Sequence, residues 1–169
     1  IAHSRRMSGE TSIRAELRAG DLGRIVELHG KAYDALPGFG LTFEAYVART
    51  IAEYVLDNHA NGCIWLAEHD DRLIGCTAIV LRENHVGQLR WVLVDESARG
   101  LGLGGQLVDA ALEYCRAQGC RSIVLETTDG LPESQALYEK LGFTVTSDDV
   151  SDLWDGPRPL IHMQLILDD

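Results

Sequence analysis

Residues 12–17 (SIRAEL) alternate apolar and polar side chains, the period-two pattern of a short strand. From Asp21 the period lengthens. Leu22, Ile25, Val26, His29, Ala32 and Tyr33 recur at i, i+3 and i+4, which predicts an amphipathic helix with Asp21 as N-cap and Pro37-Gly38 as its stop. Phe43, Tyr46, Val47, Ile51, Tyr54 and Val55 predict a second helix of the same kind. After a break at 58–62, residues 63–68 and 73–81 are β-rich runs joined by His69-Asp70-Asp71-Arg72, the pattern of a hairpin. Residues 89–94 (LRWVLV) are almost continuously apolar, as in a central strand buried on both faces. A glycine-rich loop follows. Then comes a helix over 103–118, with Leu103, Leu107, Ala111, Tyr114 and Cys115 on one face and Gly119 just past its end. Residues 122–125 (SIVL) predict another buried strand, and Pro132 opens a helix that carries Tyr138 and ends at Gly142. Residues 143–146 and 160–167 close the chain as strands, with the acidic stretch 147–155 expected as a solvated loop. The order β α α β β β α β α β β, without linker or repeat, predicts one α/β domain over 12–169 behind a tail of residues 1–11. Its sheet should be mixed, with early antiparallel hairpins and one βαβ crossover in the second half.

Composition narrows the function classes. The chain has 169 residues, 46% of them hydrophobic, and a formal net charge of −11. Such a charge disfavours nucleic-acid partners and a polybasic membrane anchor, both of which need clustered Lys and Arg. No apolar run approaches the roughly 20 residues of a membrane span. The four cysteines (63, 76, 115, 120) form no CxxC, and the six histidines show no HxxxH, so no metal site is expected. Residues 1–10 lack the apolar segment of a signal peptide, which makes the cytoplasm the expected location, with Met7 as a candidate native start and Ile1–Arg6 as non-native residues.

The loop Arg99-Gly100-Leu101-Gly102-Leu103-Gly104-Gly105 carries the chemistry. Four glycines in six residues let backbone N–H groups come close to a ligand, and a helix start adds unpaired donors and partial positive charge. With Arg99 this makes a pyrophosphate cradle. Read literally, Gly100-x-Gly102-x-x-Gly105 matches the dinucleotide fingerprint, with Glu126 21 residues beyond Gly105. Against that reading, Asp95–Arg99 separate strand from glycine, and only 43 residues follow Glu126, too few for a doubly wound sheet. The other pattern is [RQ]xxGxG/A, met by Arg99-x-x-Gly102-x-Gly104.

On that pattern, residues 89–105 resemble motif A of the GNAT superfamily of N-acetyltransferases, and residues 134–143 (SQALYEKLGF) resemble its motif B. The resemblance covers about residues 12–167, and also extends to the acetyltransferase module that some bacterial proteins carry after a MarR-type DNA-binding domain. It implies the GNAT fold: a mostly antiparallel sheet of about seven strands with about four helices. It also implies direct transfer of an acetyl group from acetyl-CoA, without metal, to an amine of a small molecule or protein. Residues Arg99, Gly100, Leu101, Gly102, Leu103, Gly104 and Gly105 are implied for the pyrophosphate, and Val92, Leu93 and Val94 for the pantetheine arm. The Leu93 N–H is implied as donor to the thioester carbonyl, and Tyr138 as partner of the CoA sulfur. Leu131 stands where the family often has a cofactor-contacting asparagine, leaving Glu133, Ser134 or Gln135 as substitutes. Gln88 stands where many members have a glutamate base, and glutamine accepts no proton. Glu126, at the end of the next strand, is then the first candidate base, beside Glu83, His85 or a water chain. Arg90 and Trp91 flank the same cleft, and Tyr33, Phe39, Phe43 and Tyr46 are candidates for the acceptor pocket. Many relatives dimerise, so a homodimer is an expectation. The alternatives are a non-catalytic acyl-CoA sensor of the same fold and a nicotinamide- or flavin-dependent oxidoreductase.

Overall fold

The structure, a computed structural model, describes residues 9–58, 61–154 and 156–168. Ile1–Arg6 and most of the expected tail lie outside the described residues. The elements run β1 (Thr11–Arg14), α1 (Asp21–Asp34), α2 (Leu41–Glu53), β2 (Gly62–His69), β3 (Arg72–Arg82), β4 (Val86–Val94), α3 (Leu103–Ala117), β5 (Ser122–Thr127), α4 (Pro132–Lys140), β6 (Thr144–Ser151) and β7 (Arg158–Ile166). This is the predicted order. The strands form one sheet, β1-β2-β3-β4-β5-β7-β6, in which β4–β5 is the parallel pair and the others are antiparallel. A single parallel pair is incompatible with a doubly wound dinucleotide fold, so the literal GxGxxG reading falls.

Local chemistry explains the turns. Asp70 and Asp71 both hold positive φ (48° and 62°), as a tight two-residue hairpin turn between β2 and β3 requires. Three expectations change. Asp21 is not the N-cap of α1. Gly20 caps it at φ 91°, and Asp21 is the first helical residue. Its buried carboxylate accepts bonds from the Arg14 guanidinium at 2.7 and 2.8 Å and from the Arg18 N–H at 2.7 Å. Arg14, the last residue of β1, also binds Glu68, so the first strand is shorter than its alternation suggests. Finally, residues 147–151 are not loop but the outer half of β6, paired with β7 from Ser147↔His162 to Ser151↔Arg158. An edge strand exposed on both faces has no apolar alternation to show.

Two apolar layers sandwich the sheet. Trp65, Ile79, Leu107, Val108, Ile123, Leu125 and Met163 pack on the α3 side, and Ile25, Ile51, Leu66 and Val80 on the α1–α2 side. The continuous apolar runs serve both layers at once, alternate residues going to opposite faces.

The site depends on where the sheet comes apart. β4 and β5 pair only from Val86↔Ser122 to Gln88↔Val124. Beyond Gln88, β4 carries a bulge: Cys76 faces Leu93 and Ala78 faces Arg90, so Trp91 and Val92 together oppose Thr77. Trp91 absorbs the irregularity at φ 48°, unusual for a bulky residue. The strands diverge and leave a gap bordered by backbone.

Candidate active site

Two cavities meet in this gap. One, of about 130 Å³, lies under α1 and α2. The other, of about 390 Å³, runs along the end of β4 to the glycine loop. Val92 and Ser134 line both.

Backbone direction along β4 decides which donors face the gap. The Cys76 thiol donates to the Trp91 carbonyl (3.1 Å), so that carbonyl points toward β3. Across a trans peptide the N–H points the opposite way, so the Val92 N–H faces the gap. The Leu93 N–H turns back to the Cys76 thiol, and the Asp95 N–H bonds the Ile74 carbonyl (2.8 Å), also on the β3 side. Alternation then places the Val94 N–H in the gap. The expectation that Leu93 offers its N–H to a thioester is therefore corrected: its backbone belongs to the β3–β4 ladder, and Val92 and Val94 hold the available donors. The bulge at Trp91 sets this parity, and no sequence signal announces it.

The larger cavity is lined by Val92, Leu93, Val94, Ala98, Arg99, Gly100, Gly102, Leu103, Gly104, Ser134 and Leu137. Gly100 (φ 78°) and Gly102 (φ 73°) adopt left-handed backbone that only glycine takes without strain, and Gly102 is the N-cap of α3. The loop thus presents the unpaired N–H groups of the first helical turn to the groove. Leu101 and Gly105, both expected in the cradle, do not line it. The Leu101 side chain is exposed, and Gly105 already lies on the first turn of α3, with open space where a Cβ would stand. The donor set fits the pyrophosphate and extended amide arm of an acyl-CoA: a helix start, two left-handed glycines, Arg99, and a strand edge with free N–H groups.

Tyr138 lines the smaller cavity from α4, edge-on to Phe143 at 5.9 Å between centroids. Burial, with a smaller contribution from nearby Tyr33, holds its phenol well above the usual tyrosine range, so it stays protonated. Glu126 lines the same cavity from β5. Its Oε1 lies 3.6 Å from Nδ1 of His162 directly across on β7, whose Nε2 is 3.3 Å from Asp149 Oδ2 on β6. His162 escaped the sequence reading because strand register, not spacing, brings it to Glu126. Gln88 also lines the cavity, with its Oε1 accepting both Nε (2.9 Å) and Nη2 (2.7 Å) of Arg82. Arg90 lies with its guanidinium 4.5 Å from the Trp91 ring centroid.

The opposite wall is aromatic. Tyr33, Phe39, Phe43 and Tyr46 all line the cavity, joined by His29 and by Trp154 from the β6–β7 connection. Trp154 sits in the acidic stretch read as solvated, where a lone tryptophan was the only clue. His29 is buried and contacts the Ile25 carbonyl through Nδ1 at 2.8 Å. Burial lowers its imidazole to about 4 against that hydrogen bond, so the neutral form is favoured in the fold. The unfolded chain then binds the extra proton between pH 6.5 and 4, and stability held above pH 6.5 is lost on acidification. Wild type should lose about 3 kcal/mol more than His29→Gln between pH 7 and pH 4 in urea unfolding. Parallel stability curves for the two proteins would remove His29 from this role.

Comparison with known proteins establishes the family of the chain. The chain matches the Acetyltransferase (GNAT) family over residues 26–143 and belongs to it. It is 31% identical to a glucosamine 6-phosphate N-acetyltransferase of Oryza sativa subsp. japonica, over 76% of each chain. It is 36% identical to a mycothiol acetyltransferase of Thermomonospora curvata, over 57% of this chain and 32% of that one. The chain spans less than half the length of several curated relatives it matches. A Salmonella typhimurium structure that contains acetyl-CoA superposes with a TM-score of 0.69 at 21% identity, covering 95% of each chain, which is agreement of fold. No helix among the described residues is long and apolar enough to cross a membrane.

Proposed function

We propose that this chain is a cytoplasmic N-acetyltransferase that moves an acetyl group from acetyl-CoA directly to an amine held in the same cleft. The supporting observation is the junction of two cavities at Val92 and Ser134, one shaped by the glycine loop and the other by aromatic side chains. The acceptor, bound as an ammonium, first gives up one proton; its nitrogen then bonds to the acetyl carbon, the carbon–sulfur bond breaks, and the nitrogen loses a second proton to solvent as the amide forms. The loop from Arg99 to Gly104 holds the pyrophosphate, with Val92 C=O and Val94 N–H pairing with the pantetheine arm. Val92 N–H polarises the thioester carbonyl and stabilises the oxyanion that develops there. Tyr138 hydrogen-bonds the departing sulfur. Glu126 takes the amine proton, with His162 beside it to pass charge toward solvent. Gln88, tied to Arg82, has no proton-accepting role.

Two assays on the same protein separate this reading from its competitors. Acetyl-CoA at about 100 times its Kd should raise Tm by roughly 5–10 °C, and NAD(H) should not. Thiol should be released when an amine panel is added. Stabilisation without release by any amine identifies a sensor, and stabilisation by NAD(H) alone sinks acetyl-CoA binding altogether.

A further inference from the structure

The parting of β4 and β5 sets two opposite charges on facing banks of the gap. Gln88↔Val124 is the last pair between these strands. Side chains on one face of a strand recur every second residue, so Arg90 and Glu126 would be the next pair on that face. The gap opens there, and the two form no ion pair: Glu126 turns its Oε1 to His162, and the Arg90 guanidinium lies against Trp91. Both line the smaller cavity, and among its described lining residues they are the charged side chains, one of each sign. His29, the other basic residue of that lining, is held neutral by burial.

Arg90 is half-buried, and its guanidinium has no oxygen partner. Among the described residues it bonds no carboxylate, carbonyl or hydroxyl, and it lies 4.5 Å from the Trp91 ring centroid. The ring covers one face of the group and leaves the N–H donors, which lie in the guanidinium plane, unpaired. Burial lowers its pKa from the usual arginine value, with Tyr46, Glu126 and Glu53 opposing that shift and Arg82 adding to it. It stays charged all the same, and a desolvated charge is costly without a partner. Gln88, two residues earlier on β4, supplies a second donor. Its Oε1 is taken by Nε and Nη2 of Arg82, which fixes the amide and leaves its Nε2 hydrogens without a partner among the described residues. A glutamate at this position would repel an anion, whereas the glutamine amide donates to one.

Resting on the proposed acetyl transfer, we propose that the acceptor is a zwitterion: an amino acid whose carboxylate lies on the Arg90 and Gln88 donors while its ammonium faces Glu126 across the gap. The guanidinium fork matches the two oxygens of a carboxylate. Charge balance selects this class over others. One guanidinium and one carboxylate in the lining match one negative and one positive charge on the ligand. A phosphate dianion would leave excess negative charge beside Glu126, and an amine without an anion would leave Arg90 unpaired. Thr127, Ser134 and Tyr46 line the same cavity with hydroxyls, which suits a ligand polar at both ends. Arg90 then anchors one end of the molecule, and Glu126 takes the first proton from the other.

The test is a thiol-release assay with acetyl-CoA and matched acceptors: L-leucine, L-phenylalanine and β-alanine, each beside its carboxamide, with n-hexylamine and glucosamine 6-phosphate as amines of other charge. The best amino acid should show a kcat/KM at least about tenfold above its own amide, n-hexylamine and the amino sugar phosphate. In Arg90→Met, which keeps an apolar stem against Trp91, that acid-to-amide preference should fall at least about tenfold. In Arg90→Lys, which keeps the charge without the fork, part of the preference should remain. The same acid and amide are compared in every protein, so their difference in basicity cancels. A wild-type preference for an amide, for n-hexylamine or for glucosamine 6-phosphate overturns the inference and leaves acetyl transfer standing, as does one acid-to-amide ratio shared by wild type and both variants. Failure of every amine to release thiol overturns both.

Discussion

Replacing Tyr138 with phenylalanine is expected to lower kcat about 100-fold, with little change in the KM for acetyl-CoA. The ring is retained, so the contact with Phe143 and the buried position in the core survive. Only the hydroxyl disappears. Its raised pKa, caused by burial, bears on how it acts. A phenol well above 10 does not hand its proton completely to a thiolate whose conjugate acid lies near about 8.5. In the proposed reaction Tyr138 would therefore stabilise the leaving sulfur by donating a hydrogen bond, and the thiolate would collect a proton from solvent after it departs. A further consequence is that Tyr138 contributes no alkaline limb to the pH–rate profile below about pH 10, because it stays neutral there. Steady-state thiol release with wild type and Tyr138→Phe checks both points. An unchanged kcat in the variant removes Tyr138 from the reaction.

Glu126→Gln should lower kcat/KM at pH 7 by about 100-fold or more, the usual scale for loss of a positioned base. At pH 7 an alkyl amine is almost wholly protonated, since its pKa is near about 10.4, and the protein must take up the proton before attack. The deficit should shrink as pH rises toward that value, because free amine then arrives already neutral. A side chain that only shaped the pocket would give a deficit independent of pH. Glu126 has a companion suited to the work: His162 stands between it and the exposed Asp149, on the same face of β5, β7 and β6. Gln88 offers no substitute base, because an amide oxygen already bonded to Arg82 has no affinity for a proton at this pH. Equal rates for wild type and variant across pH 6–10 would exclude Glu126.

The acidity of the chain fits this chemistry without directing it. One pyrophosphate would need only a local positive spot, which Arg99, two left-handed glycines and the start of α3 can supply. A net charge of −11 leaves the long-range field favourable to a cationic amine.

Much of this was legible in the chain. The element order followed from side-chain period and from Gly and Pro punctuation, which are local properties. The conformation of the glycine loop and the place of Tyr138 on α4 were legible for the same reason: backbone angles at Gly100 and Gly102, and the position of a side chain on one helix, depend on near neighbours. Strand parity was not. Leu93 and Val92 are both apolar residues of one strand, and only the bulge at Trp91, made where β4 meets β3, turns the Val92 N–H toward the gap. Register was not legible either, so His162 came to Glu126 unannounced from 36 positions away. Nor was the strand at 147–151 visible, because an edge without a buried face imposes no pattern on its sequence. The order of elements, the motifs of the family and the left-handed glycines before α3 were written in the chain, since each rests on interactions within a few residues. Which β4 N–H groups face the gap, which side chains line the cavity beside it and that Trp154 joins that lining came only with packing, since each arises from segments far apart in the chain.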